Sequence, residues 1–142
     1  MLFKDCLCFQ VGKVSRKMAK LTRDAVVPYG LTTVQFFLLT ALYKEDGISI
    51  SALAQKVVLD KATLTGLLDR LERDGFVLRQ VDPGDRRAVR VQLTPKAEGL
   101  RQTLTDLYHS INRKFLSFLS DEERRTFERV VSKIENAEIA EG

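Results

Sequence analysis

The sequence predicts a mainly α (α+β) protein carrying one antiparallel β-hairpin. Three observations lead there. Apolar residues recur at helical spacing over most of the chain. The period drops to two only in "FVLRQVD" and "AVRVQLT", and those stretches flank a turn sequence, "DPGDRR". With 142 residues, 44% apolar and 30% charged, the chain suits a single domain (1–142) with a buried core rather than a disordered chain.

Taken in order, the first 25 residues read as a helix: Phe3, Leu7, Val11, Val14, Met18, Leu21 and Ala25 fall on one stripe. Pro28 and Gly30 break it. Thr32 and Gln35 have capping-box spacing at the start of a second helix, which Gly47 closes. "ISI" reads as a short strand, and Ser49 as the N-cap of a two-turn helix, "SALAQKV". Asp60 caps a longer helix, "KATLTGLLDRLERDG", which stops at Gly75. The hairpin follows, with Pro83-Gly84 at its tip. Thr94 as N-cap and Pro95 at the first helical position open one long helix, "TPKAEGLRQTLTDLYHSINRKFLSFL". Ser120 and Glu123 make a second capping box before a final helix, "DEERRTFERVVSKIENAEI".

The middle of this order, residues 31–94, is a winged helix-turn-helix: two helices joined by a tight turn, then a hairpin wing. The long helices at 1–27 and 95–142 lie outside that module and need another burial partner.

The charge balance is mild, +4 from 23 basic and 19 acidic residues. Six of the basic residues lie within residues 1–24, whereas the tail from Leu119 is net acidic. The longest apolar run, residues 34–43, is too short to cross a bilayer, and no charged-then-apolar signal segment opens the chain. With only two cysteines, Cys6 and Cys8, a reducing cytoplasmic setting without a membrane partner is expected. No nucleophile–base pair, phosphate loop or paired-carboxylate site is present in the sequence, so neither an enzyme nor a bound cofactor is expected. His109, the single histidine, has Asp106 one turn before it, too few ligands for a metal.

On the helix from residue 61 to 74, Leu64, Leu67, Leu68 and Leu71 form the inward stripe. The opposite face shows Ala62, Thr65, Gly66, Asp69, Arg70 and Arg73, with Thr63 at its margin. Small polar residues near the start suit close approach to base edges in a major groove, and the arginines can reach phosphates. Any surface helix has a polar face, so the wing matters. Arg86 and Arg87 stand at or near a hairpin tip narrow enough for a minor groove, and Asp85 could hold a guanidinium by a bidentate pair.

This combination resembles the MarR family of transcriptional regulators. The resemblance rests on "DKATLTGLLDRLERDGFV", on the D-x-R wing signature Asp85-Arg86-Arg87 leading into "VQLTPKA", and on "YGLTTVQFFLLTAL", which is similar to the family's second helix. It implies a dimeric regulator of double-stranded DNA, reading a near-palindromic operator. The N-terminal and two C-terminal helices of such a regulator form the dimerisation region. It also implies a minor-groove role for Arg87 with Asp85 as its brace, and a phosphate role for Arg86. Recognition-helix contacts would come from Asp60, Lys61, Thr63, Thr65 and Arg70, with Arg73 beyond them. Two positions depart from the family pattern. Gly66 replaces a frequent long polar side chain, and Ala97 stands where glycine is common. The alternative reading is a winged helix used as a protein-interaction module without specific DNA binding.

Family members commonly act as repressors released by small phenolic or anionic ligands or by oxidants. Arg16, Lys17, Tyr29, Phe36, Phe37 and Tyr108 are the candidate pocket residues, although aromatics at helical spacing are ordinarily core. At helical spacing Cys6 and Cys8 point about 160° apart, which excludes a shared ion or a mutual disulfide. Cys8 shares a stripe of small residues with Gly12, Ser15, Ala19 and Thr22, a face suited to a close-packed partner helix. Its "LCF" setting is also similar to the reactive cysteine of the organic-hydroperoxide-sensing, OhrR-type branch of the family. The phenols that assist the thiol there correspond to Gly12 and Thr22 here. Redox sensing and simple packing therefore both stand as readings of Cys8.

Overall fold

The computed structural model describes residues 5–138. Phe3 and Ile139, which the helical patterns include, lie outside the described residues. The elements are α1 (Leu7–Val26), α2 (Thr33–Lys44), α3 (Ile50–Val57), α4 (Lys61–Arg73), β1 (Val77–Asp82), β2 (Asp85–Leu93), α5 (Pro95–Gly99), α6 (Arg101–Leu116) and α7 (Asp121–Glu135). A 3-10 turn, Val27–Tyr29, separates α1 from α2, and Gly30 beyond it adopts φ 71°.

The helix starts follow from local chemistry. Thr32 and Ser120 each accept from the third backbone N–H of their helix, while Gln35 and Glu123 return the bond. Ser49, Asp60 and Thr94 cap α3, α4 and α5 with single backbone bonds. Two expectations need correction. "ISI" forms no strand, only an isolated bridge between Ser49 and Arg90, because its isoleucine at 50 already starts α3. The long helix after Pro95 is divided at Leu100 into α5 and α6. There Arg101 turns back onto Glu98 and onto the Tyr43 carbonyl.

The core lies where α2, α3, α4, the hairpin base and α6 meet. Phe36, Leu39 and Leu42 of α2 are fully buried with Leu53, Leu64, Leu68, Leu71, Val77, Val91 and Leu104. The hairpin pairs Val77 with Leu93 through Val81 with Val89, and Asp82 opposite Asp85 closes the two-residue turn. Its base is tied to the α2–α3 loop: Gly47 N–H donates to the Val91 carbonyl and Val91 N–H to the Ile48 carbonyl, both at 2.9 Å. Asp46 Oδ1 accepts from Leu93 N–H at 2.9 Å.

The outer helices behave differently. Leu7, Val11, Val14 and Met18 of the α1 stripe are exposed, and only Thr22 and Val26 near its end are buried. No residue of α7 is buried, although Phe127, Val130, Val131 and Ile134 give it an apolar face. No single helix among the described residues is long and apolar enough to cross a membrane.

Candidate nucleic-acid interface

Burial of Leu64, Leu68 and Leu71 sets the roll of α4 and turns Lys61, Thr63, Thr65, Gly66, Arg70 and Arg73 outward. A Cβ added at Gly66 would meet open space, so packing does not impose the glycine; its effect is to leave the helix backbone approachable. Asp60, exposed at the start of α4, is also the cap of that helix. Its Oδ1 accepts the Thr63 N–H and its Oδ2 the Thr63 hydroxyl, each at 2.8 Å. The Thr63 backbone N–H, and then that hydroxyl, hold the Asp60 carboxyl below the usual carboxylate range. An ionised carboxylate only accepts, so the Thr63 hydrogen points at Asp60 and its lone pairs are left for another donor.

The wing tip is built by its own aspartates. Asp82 Oδ1 accepts Gly84 N–H at 2.8 Å, and Asp82 Oδ2 accepts Arg90 Nε at 2.6 Å. These contacts, Gly84 first and Arg90 second, hold the Asp82 carboxyl low. Asp85 Oδ1 accepts the backbone N–H of Arg87 at 3.0 Å, and the Arg87 Nε approaches it at 3.4 Å. The expected bidentate brace is thus replaced by a backbone bond and one long side-chain contact. A carboxylate oxygen already committed to its neighbour's N–H leaves less for the guanidinium. The Arg87 side chain remains 94% exposed, free to reach outward. Arg86 beside it is exposed as well.

An open cleft of about 610 Å³ brings Lys61 at the head of α4 together with Asp85 and Arg87 of the wing. Ser49 and Ser51 at the start of α3 also line it, with Ile50, Ala88 and Val89. Sequence spacing marked Ser49 only as a helix cap and Ser51 not at all, because only folding brings the start of α3 against the wing. Two further arginines were missed. Arg90 donates from Nη1 to the Gly47 carbonyl at 2.8 Å, and Arg79 of β1 bonds to carboxylates of α4. Alternation along a strand shows which side such a residue faces but not what lies opposite.

The candidate effector residues divide. Phe36, Phe37 and Tyr108 line a cavity of about 400 Å³ between α1, α2, α6 and α7, but Arg16, Lys17 and Tyr29 do not. Arg16 and Lys17 lie on the exposed side of α1, and Tyr29 on the turn after it. Phe36 is also core, with its ring 5.5 Å from Phe37 and 6.4 Å from Tyr108. The stripe of small residues on α1 turns Ser15, Ala19 and Thr22 into the same cavity, so their small size makes room inside this chain.

Asp106 accepts from Gln102 at 2.9 Å, and His109 lies edge-on to Tyr108. Among the described residues no three metal-ligating side chains converge. Cys6 is the N-cap of α1, not part of it, so the 160° helical separation from Cys8 does not hold; both thiols are exposed. Thr22 lies about 21 Å along the helix from Cys8, with its hydroxyl donating to the Met18 carbonyl at 3.0 Å.

The MarR family model matches residues 31–89, the span from the start of α2 into the wing. The transcriptional regulator HosA of Escherichia coli O111:H- is 36% identical over 107 residues, 75% of this chain and 79% of that protein. The HTH-type transcriptional regulator TtmR of Methylorubrum extorquens (strain PA1) is 35% identical over 74% of this chain, which spans only 54% of that relative. Among solved structures, a mutant MarR from E. coli complexed with operator DNA aligns with a TM-score of 0.84 at 26% identity, over 94% of this chain and 98% of that one. With recognition helix, turn and wing in the same order and the same fold, the chain belongs to the MarR family of DNA-binding transcriptional regulators.

Proposed function

We propose that the protein is a homodimeric repressor in the cytoplasm that reads a near-palindromic operator and leaves it when an effector binds. In this reading α4 enters the major groove with Lys61, Thr63, Thr65 and Arg70, and with Asp60 at its cap. Arg73 and Arg86 meet phosphates, and Arg87 enters the adjacent minor groove. The carrying observation is the cleft shared by Lys61 and the freely exposed Arg87, which puts helix head and wing tip on one surface. Two copies joined through the exposed apolar faces of α1 and α7 would present two such surfaces to half-sites about one helical turn apart.

The cavity between the outer helices and the DNA-reading lobe suits the effector. Its wall among the described residues is aromatic and aliphatic, with Asn112, Thr33 and Ser15 as neutral hydrogen-bonding groups. That chemistry fits a small phenol better than a carboxylate, because no cation among the described residues lines it.

The test begins with duplexes selected from a random pool by the wild-type protein. Fluorescence anisotropy on the recovered site should show Arg87→Ala binding about 10- to 100-fold more weakly. An unchanged affinity would remove the wing from the interface. Failure to enrich any site, with little dependence on salt, would favour a protein-interaction module.

A further inference from the structure

We infer that Arg79 is a positioning residue for DNA reading, fastening the wing to α4 and masking two carboxylates on the recognition helix. The inference rests on α4 and the wing forming the DNA-reading surface. Asp69 and Glu72 are three residues apart on α4, so they share a face near the exposed side. Unmasked, they would set two negative charges on a helix bound for a groove walled by phosphates. Arg79 of β1 meets both. Its Nε and Nη2 donate to Glu72 Oε2 at 2.8 and 2.6 Å, and its Nη2 lies 2.6 Å from Asp69 Oδ1.

The geometry is that of a fork closed on two anions rather than a loose surface pair. The Arg79 side chain is 24% exposed, whereas Asp69 is 59% exposed and would face solvent and DNA if released. Arg79 leaves β1 on the side facing α4, one residue pair beyond the buried Val77. The other ties of the hairpin, from Asp46 and Gly47, hold its base on the α2–α3 loop. Among the described residues Arg79 therefore supplies the ionic tie between wing and recognition helix, and so fixes the angle at which both meet DNA.

Arg79→Met, Arg79→Lys and the triple variant Arg79→Met/Asp69→Asn/Glu72→Gln separate the two roles. The probe is the duplex selected by the wild-type protein, titrated at several salt concentrations, with circular dichroism to follow folding. Arg79→Met should bind roughly 10- to 50-fold more weakly at low salt. That deficit should shrink as salt rises, since the screening length falls from about 10 Å at 0.1 M to about 3 Å at 1 M. The triple variant, with no charge left to mask, should recover to within about fivefold of wild type, the remainder being the lost fastening. Arg79→Lys retains a charge without the fork and should fall between, whether or not the methionine variant folds.

Wild-type affinity in Arg79→Lys and Arg79→Met at every salt concentration overturns the inference. So does a triple variant that binds no better than Arg79→Met. Arg87→Ala, run alongside, reads the surface itself. Its loss with Arg79 variants unaffected would defeat only the role given to Arg79, whereas a silent Arg87→Ala would defeat the underlying assignment of the surface.

Discussion

Tyr43 joins α2 to α5 and α6 through a few atoms. Its hydroxyl donates to the Ala97 carbonyl at 2.6 Å, Arg101 Nη1 donates to the Tyr43 carbonyl at 2.7 Å, and the Arg101 guanidinium lies 5.0 Å from the Tyr43 ring centroid. Burial, and then the neighbouring Glu98, push the Tyr43 phenol up to about 12. The phenol of the unfolded chain ionises near pH 10. Between those values the unfolded state has lost a proton that the folded state keeps, so stability falls as pH rises from about 10 to about 12 and its full contribution is present below. Tyr43→Phe should flatten that decline in chemical-denaturation midpoints measured across the alkaline range. Near neutral pH it should cost about 1 kcal/mol for the lost hydrogen bond. An equally steep alkaline decline in the variant would place its origin elsewhere.

At the scale of elements, the turn between α3 and α4 carries a local conflict. Val58 ends α3 in the left-handed region, φ 55° and ψ 49°, where a β-branched side chain is unfavourable. The conformation persists because the next residue, Leu59, donates its N–H to the Ala54 carbonyl at 3.0 Å and Asp60 then caps α4. Val58 is 79% exposed, so little burial is at stake. Val58→Asn should therefore raise stability by about 1 kcal/mol in urea unfolding, asparagine tolerating this conformation better. A lower stability would show that the valine side chain has a packing role in the turn. The helix-turn-helix geometry depends on this turn, since it joins α3 to α4, and both helices start at the wing cleft.

For the molecule as a whole, the distribution of burial is the telling feature. The lobe from α2 to α6 is closed around fully buried leucines, while α1 and α7 display apolar faces to solvent. Both outer helices have the amphipathic pattern of packed helices, and a single chain leaves that pattern unfilled. The proposed homodimer accounts for it. Ile134→Glu, placed on α7 where nothing of its own chain is buried, should leave the fold intact yet shift the protein toward monomer in light scattering at micromolar concentration. Operator affinity should fall with it, because one reading surface holds only half a site. A variant that stays dimeric would move the interface away from α7.

Much of this was determined by sequence alone, for a physical reason. Helix starts at Thr32, Ser49, Asp60, Thr94 and Ser120, the hairpin turn at Pro83-Gly84, and the inward leucines of α4 depend on groups within a few residues of one another, so spacing reveals them. Arg87 was visible for the same reason, standing beside its turn. What only the tertiary structure decided are the encounters between distant segments. Arg79 closes on Asp69 and Glu72, Ser49 and Ser51 join the wing cleft, and Arg16 and Lys17 fall outside the cavity. Periodicity predicts which side of an element is apolar, but the partner opposite that side is set by how the elements cross in space. The apolar stripe of α1 shows the difference plainly, since the sequence marked it as a packing surface and the fold left it uncovered.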